Sequence, residues 1–248
     1  MKKTIIELFG LPGSGKTTCR NKLVQQLRLK GFKAYSQDGF SELVKERYFN
    51  NAFVLKKITS KVIFKLEKRR IMNMVRNTHP HYIKFINIAL NEFEKQDKKI
   101  LKGFIETTLI HYKLFELYSF DDEIMVIDEG LVHRALSLYG YNMNHSLKFE
   151  IIIKYLKIIP YHDIVIYIHA DKHVAKNRVL LRGLPKRMQS FNVSKIDKFY
   201  NLNEKMFDTI DNFFQGSSYN YLKANNNSES ETELDYKITR LLNDLHLL

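Results

Sequence analysis

Apolar residues crowd into short runs separated by longer stretches in which they recur every three or four positions, as buried strands alternating with amphipathic helices do. Lys3 to Phe9 (Lys-Thr-Ile-Ile-Glu-Leu-Phe) predicts a strand closed by Gly10. The polar, helix-favouring stretch from Lys16 to Lys30 predicts a helix capped at Gly31. Phe32 to Gln37 predicts a second strand that stops at the turn dipeptide Asp38-Gly39. From Ser41 to Phe120 Pro and Gly are scarce, and helices are expected almost throughout. Glu123 to Asp128 is a nearly continuous apolar run ending in an acid, the pattern of a parallel strand buried on both faces. Asp163 to His169 repeats that pattern and leads into a helix from Lys172 to Leu181, closed by Arg182-Gly183 and followed by the basic loop Leu184 to Met188. Ser194 to Phe214 has helical periodicity, Tyr219 to Leu222 reads as a short last strand, and the Asn225 to Ser228 turn precedes a final amphipathic helix from Thr232 to Leu247. This order argues for an α/β domain with a parallel sheet covered on both faces, whose ligands sit beyond the carboxyl ends of the strands.

One of those ends carries a strong motif. Gly10-Leu11-Pro12-Gly13-Ser14-Gly15-Lys16-Thr17 fits G-x-x-x-x-G-K-[ST], with the required strand before it and helix after it. Glycines let successive backbone N–H groups converge on phosphate oxygens, and the helix N-terminus adds its positive dipole end. Lys16 is placed to reach β- and γ-phosphates, Thr17 to ligate Mg²⁺ and Thr18 to add a hydroxyl. Asp128, at the tip of the third strand, suits a carboxylate that organises the metal complex; it is equally suited to capping a helix that starts at Leu131. Glu129 follows it, and an Asp-Glu pair at this point is also a general-base signal in water-activating ATPases.

Composition bounds the rest. With 248 residues, 44% hydrophobic and 27% charged, the chain has material for one substantial core and is expected to be a single domain. Cys19 is the only cysteine, so an internal disulfide is impossible and a reducing, cytoplasmic setting fits. Glu7 breaks the apolar N-terminal run, which reads as a strand and not as a signal peptide, and no apolar run is long enough to span a bilayer. The net charge of +13 favours a polyanion, an anionic surface or a phosphorylated small molecule. Sixteen basic and seven acidic residues lie between Lys45 and Ser119, so most of the positive field belongs to the helical middle. His79 and His81 flank Pro80 without a third ligand, which suits a loop pair better than a metal site.

These segments together resemble the thymidylate kinase and deoxynucleoside kinase group of P-loop phosphotransferases. The likeness lies in the loop from Gly10 to Thr18, in Ile124 to Gly130 with the helix through Tyr139-Gly140-Tyr141, in Asp163 to Gly183 with its Arg178-x-x-x-Arg182-Gly183 ending, and in the closing turn and helix. The resemblance implies a three-layer sandwich with a five-stranded parallel sheet, a helical acceptor-side insertion over about 41–120, and a basic lid over about 182–192. It implies Mg²⁺-ATP as donor and a small-molecule acceptor, which the charge suggests is anionic, with a homodimer as a further expectation. Arg178 would serve the nucleotide, and Arg182 and Arg187 the transferring phosphoryl, unless this is simply a solvated basic loop. Asp38 stands where the group places an acid that prepares the acceptor. The chain departs from the pattern after the third strand: the group has Asp or Glu followed by Arg, and here Asp128-Glu129-Gly130 puts a Glu129 that cannot donate to phosphate on the substrate side, so the usual acceptor recognition is either lost or moved to Arg134. Tyr139 and Tyr141 read as core or as an acceptor stack.

Three other readings compete. Asp128-Glu129 suits a hydrolytic ATPase that works on nucleic acid through the basic helices. Ser194-Lys195-Ile196-Asp197 imitates a guanine-specificity motif but lacks a preceding strand. The basic helices alone suit a non-enzymatic module for nucleic acid or anionic membrane, or a solvated roof that attracts an anionic acceptor.

Overall fold

The computed structural model describes residues 3–49, 58–141, 149–160 and 163–227, together with 236, 238–240 and 243. The first strand, β1 (Thr4–Phe9), alternates its side chains between two apolar clusters, Ile6 and Leu8 on one face and Ile5 and Phe9 on the other. It is flanked by β3 (Glu123–Ile127) and β4 (Ile164–His169), with β2 (Lys33–Ser36) outside β3 and β5 (Asn220–Asn225) outside β4. The order is β2-β3-β1-β4-β5 and every pairing is parallel. The three inner strands are buried almost end to end, as their mostly apolar composition requires, with Glu7 and Glu123 buried among them.

Helix α1 (Lys16–Leu29) packs on one face through Cys19, Leu23, Val24 and Leu27, joined there by Ile238. The other face carries the larger cluster, built from α2 (Gln37–Phe49), α3 (Ile58–Thr78), α4 (Pro80–Leu90), α5 (Lys95–Tyr118), α6 (Phe149–Leu156) and α8 (Val193–Gln215). α7 (Lys172–Arg182) follows β4. The result is the α/β sandwich of helix, five-stranded parallel sheet and helix. Chain connections leave β1 and β3 toward opposite sides of the sheet, so the crevice that suits a ligand opens beyond their adjoining carboxyl ends.

Several boundaries differ from expectation for local reasons. Asp38-Gly39 does not form a turn between strand and helix. Ser36 Oγ accepts the Gly39 N–H at 3.2 Å, capping α2 so that Gln37, Asp38 and Gly39 become its first turn, where the Asp38 carboxylate complements the helix dipole. Pro80 opens α4 instead of merely breaking a helix, because the first helical position needs no N–H. Phe149–Leu156, to which the sequence pattern assigns no element, forms α6. After β3 the chain turns and then forms a π-helical turn, Leu136–Gly140, where an ordinary helix from Leu131 was expected. Ser194 to Asp197 lies in the first turn of α8, capped by Asn192 and not preceded by a strand, and Asp197 is ion-paired with Lys176. The guanine-specificity reading fails on that placement. The final helix expected over Thr232 to Leu247 falls mostly outside the described residues; 236, 238–240 and 243 are helical. No helix among the described residues is long and apolar enough to cross a membrane.

Candidate phosphate site and adjoining cleft

The loop between β1 and α1 owes its shape to glycines. Gly10, Gly13 and Gly15 have φ of 152°, 88° and 88°, which side chains rarely adopt, and a Cβ on Gly13 would stand 2.1 Å from the Ala175 carbonyl oxygen. Lys16 opens α1 and folds back over the loop, donating from Nζ to the Gly10 and Leu11 carbonyls at 3.0 Å each. Burial pushes its amine down to about 8 against the opposing pull of the Glu129 and Asp128 carboxylates, while the Arg182 guanidinium pushes the same way as burial. Ser14 is buried, and Thr17 and Thr18 are exposed at the start of the helix.

Parallel pairing of β1 with β3 brings Asp128 to this loop. Its carboxylate accepts the Thr17 hydroxyl at 2.6 Å and is ion-paired with Arg20 at 2.8 Å. With both oxygens so engaged, Asp128 does not cap the segment after Leu131. Arg20 is a functional-site residue the sequence did not single out; its signal was a basic side chain one helical turn beyond Thr17. Hydroxyl and carboxylate oxygens side by side are the hard donor set Mg²⁺ takes, so Thr17 and Asp128 fit that ion.

Gly130 has a structural cause. A Cβ there would lie 2.3 Å from the Glu7 carboxyl carbon and 2.5 Å from the Tyr112 hydroxyl. Glu7, fully buried in β1, accepts the Tyr112 hydroxyl at 2.6 Å and the His133 N–H at 3.0 Å. Burial lifts its carboxyl from 4.5 to about 7, although Tyr112, the His133 and Val132 N–H groups and Arg134 all act to lower it. This network fills the space that a side chain at 130 would need.

Arg134 does not extend toward open space. It is 7% exposed, donates from Nε to the Thr108 hydroxyl at 2.9 Å, pairs with Glu129 at 3.3 Å, and lies 5.4 Å from the centroid of the Phe104 ring. Glu129 itself keeps its side chain 55% exposed. In this arrangement the Arg134 Nε and Nη1 groups are held on the wall between β3 and α5, by Thr108 and Glu129.

Asp38 leaves β2 beside that wall. With Ser36 paired to Val126, Asp38 follows Ser36 by two residues as Asp128 follows Val126 by two. Asp38, Ser41 and Glu42 of α2, Lys68 of α3, and Thr107, Ile110 and His111 of α5 line a cleft of about 270 Å³. Asp38 thus stands at a concave site formed by α2, α3 and α5.

The basic residues after β4 divide. Arg178 donates to the Asn226 carbonyl at 2.8 Å, so it braces the turn after β5. Arg182 is exposed, with its charge felt at Lys16. Arg187 is largely buried, its guanidinium 3.8 Å from the Tyr141 ring centroid and its Nη2 donating to the Ser137 carbonyl at 3.4 Å, which is not the placement of a solvated basic loop. Tyr141 also packs on Phe199, and Tyr139 packs on Tyr155; both belong to the core cluster's edge.

No family model and no curated protein sequence matches the chain. Among solved structures it is similar to deoxyadenosine kinase from M. mycoides with bound dCTP, at 14% identity over 99% of this chain and 100% of that one, with a TM-score of 0.48. The same enzyme with products dCMP and a flexible dCDP bound gives 14% identity, the same coverage of 99% and 100%, and a TM-score of 0.49. Shikimate kinase from Bacteroides thetaiotaomicron gives 11% identity over 98% of each chain and a TM-score of 0.44. At such values a likeness decides nothing about activity.

Proposed function

We propose that this chain is an ATP-dependent phosphotransferase that moves the γ-phosphoryl of Mg²⁺-ATP to a small-molecule acceptor held in the cleft beside Asp38. The observation that carries the reading is the hydrogen bond between Thr17 and Asp128 at the mouth of a glycine loop over which Lys16 is folded. Gly10, Pro12, Gly13, Ser14 and Gly15 shape the backbone cradle, Lys16 turns from loop carbonyls to phosphate oxygens, and Thr18 adds a hydroxyl at the helix start. Thr17 and Asp128 would hold Mg²⁺, which supplies charge neutralisation on the phosphates when bound. Asp38 accepts the proton of the acceptor hydroxyl, or orients a phosphoryl acceptor, at the end of β2. Arg182, exposed near Lys16, neutralises charge on the transferring group, and Arg187 anchors the lid segment on Tyr141. Positioning donor and acceptor together and excluding water favours transfer over hydrolysis.

Burial lowers the Lys16 amine to about 8, which leaves it mostly charged at neutral pH and available to phosphate oxygens. Lys16→Ala is expected to lower turnover by about 10³-fold or more, judged from the loss of one preorganised electrostatic partner, while leaving the fold intact by circular dichroism. Retained turnover would remove the assignment. Glu129, half-exposed and acting on Lys16, is the feature that favours a hydrolytic ATPase as the second reading; ATP loss that is fast without any acceptor and stops in Glu129→Gln would favour it.

A further inference from the structure

The Asn-rich turn after β5 has no role in the chemistry above, yet it contributes a buried side chain to the back of the phosphate loop. Asn226 is 7% exposed and makes three directed bonds at once. Its side-chain Nδ2 donates to the Ser14 carbonyl at 2.8 Å, its backbone N–H donates to the His169 carbonyl at 2.7 Å, and its own carbonyl accepts Arg178 Nη1 at 2.8 Å. The approach is close enough that a Cβ on Gly15 would meet Nδ2 at 2.3 Å. Asn227 adds a fourth tie, its Oδ1 accepting the Asp171 N–H at the start of α7 at 2.8 Å.

These bonds close a triangle. One side is the direct contact of α7 on the loop, where Gly13 lies against Ala175 and Val179 with no room for a side chain. The second is Ser14 to Asn226, and the third is Asn226 to Arg178 on α7, the helix that ends at Arg182. We propose that Asn226 is a positioning residue that fixes the carbonyl of Ser14, so that the loop's N–H groups stay aimed at phosphate, and makes the loop and the lid helix α7 move as one body. The inference rests on the phosphotransferase reading for its kinetics, but nucleotide binding tests it without turnover. A buried peptide carbonyl that loses its donor, or faces a carboxylate, must turn or find water, and either motion tilts the adjoining peptide N–H groups of the cradle.

The test compares wild type, Asn226→Asp, Asn226→Ala, Arg178→Ala and the Asn226→Ala/Arg178→Ala double variant. Mg²⁺-ATP affinity is measured by calorimetry, and KM is measured separately for ATP and for the acceptor. Asn226→Asp is nearly isosteric and keeps both backbone bonds, so it is expected to fold and to bind ATP about tenfold or more weakly, from the penalty of an unsatisfied buried group. KM for ATP should rise with it, with KM for the acceptor unchanged. Arg178→Ala should weaken ATP binding by about threefold, and the double variant should be no weaker than Asn226→Ala alone, because the two changes break successive links of one path from Ser14 through residue 226 to α7. A folded Asn226→Asp that binds ATP like wild type overturns the inference, as does a loss of thermal stability with both KM values unmoved. Additive single effects overturn the coupling to α7. Should Asn226→Ala fail to fold, Asn226→Asp and Arg178→Ala still decide. Wild type that binds no Mg²⁺-ATP would defeat the phosphotransferase reading itself, a different result from equal binding by wild type and variants.

Discussion

The glycine loop, which the proposed function makes the donor side, and the cleft at Asp38, which it makes the acceptor side, are built by different means. On the donor side the working groups are backbone N–H groups shaped by glycines, and the key side chains are already partnered: Lys16 with loop carbonyls, Thr17 and Arg20 with Asp128, Asn226 with Ser14. The cleft at Asp38 is instead lined by side chains from α2, α3 and α5, contributed by positions from Asp38 to His111. A phosphate chain is the same in every nucleotide and suits a rigid backbone cradle, whereas an acceptor is recognised by side chains that can differ without disturbing the sheet. Glu129 and Arg134 stand between the two sides, paired with each other and braced on Thr108.

The contrast is sharpest at Asp38. Asp38→Asn is expected to lower kcat by about 10²-fold or more, in the range of a lost general base, with KM for ATP unchanged in steady-state assays. An equal rise in KM for ATP would mean that the two sides are not separable. The wall between them gives the next effect. Gly130→Ala forces a methyl against Glu7 and Tyr112 and should destabilise the fold by about 3 kcal/mol, the upper part of the overpacking range, read from urea midpoints at constant m-value. An unchanged midpoint would show that the Glu7 network yields easily.

The smallest effect is a pH dependence. Glu7 binds its proton more tightly in the folded chain than in the unfolded one, with its carboxyl lifted from 4.5 to about 7. Between those values the folded state carries more protons, so stability falls as pH rises toward 7, and the full penalty applies above it. The contribution should amount to about 2 kcal/mol between pH 5 and pH 7.5, as the excess stability of wild type over its own value at the higher pH. In Glu7→Gln that part of the slope should disappear. An unchanged slope would assign the dependence to other groups.

The inner strands and the glycine loop were legible because both are local: a short, mostly apolar run makes each inner strand, and eight consecutive residues make the loop. Asp128 was legible because a strand tip places its side chain without help from distant residues. Arg134 misled because its partners, Thr108 and Phe104, lie one helix away in space and over twenty residues away in sequence. Asn226 was hidden for the same reason, looking like a low-complexity turn until β5 was paired to β4 and the turn fell against Ser14. Asp38-Gly39 read as a turn because the two residues favour one, and the Ser36 cap decided otherwise. The departure at Gly130 was visible in the sequence, but its cause, a buried acid 123 positions earlier with a tyrosine bonded to it, was not.

The most direct measurement is ³¹P NMR of the purified protein with Mg²⁺-ATP and a panel of nucleosides, nucleotides, sugars and sugar phosphates, with Lys16→Ala as the blank. Phosphoryl transfer predicts that one acceptor class makes the γ-phosphoryl signal reappear as a new phosphate ester or anhydride in equal amount to ADP. ADP and inorganic phosphate forming at the same rate with or without every acceptor would contradict it.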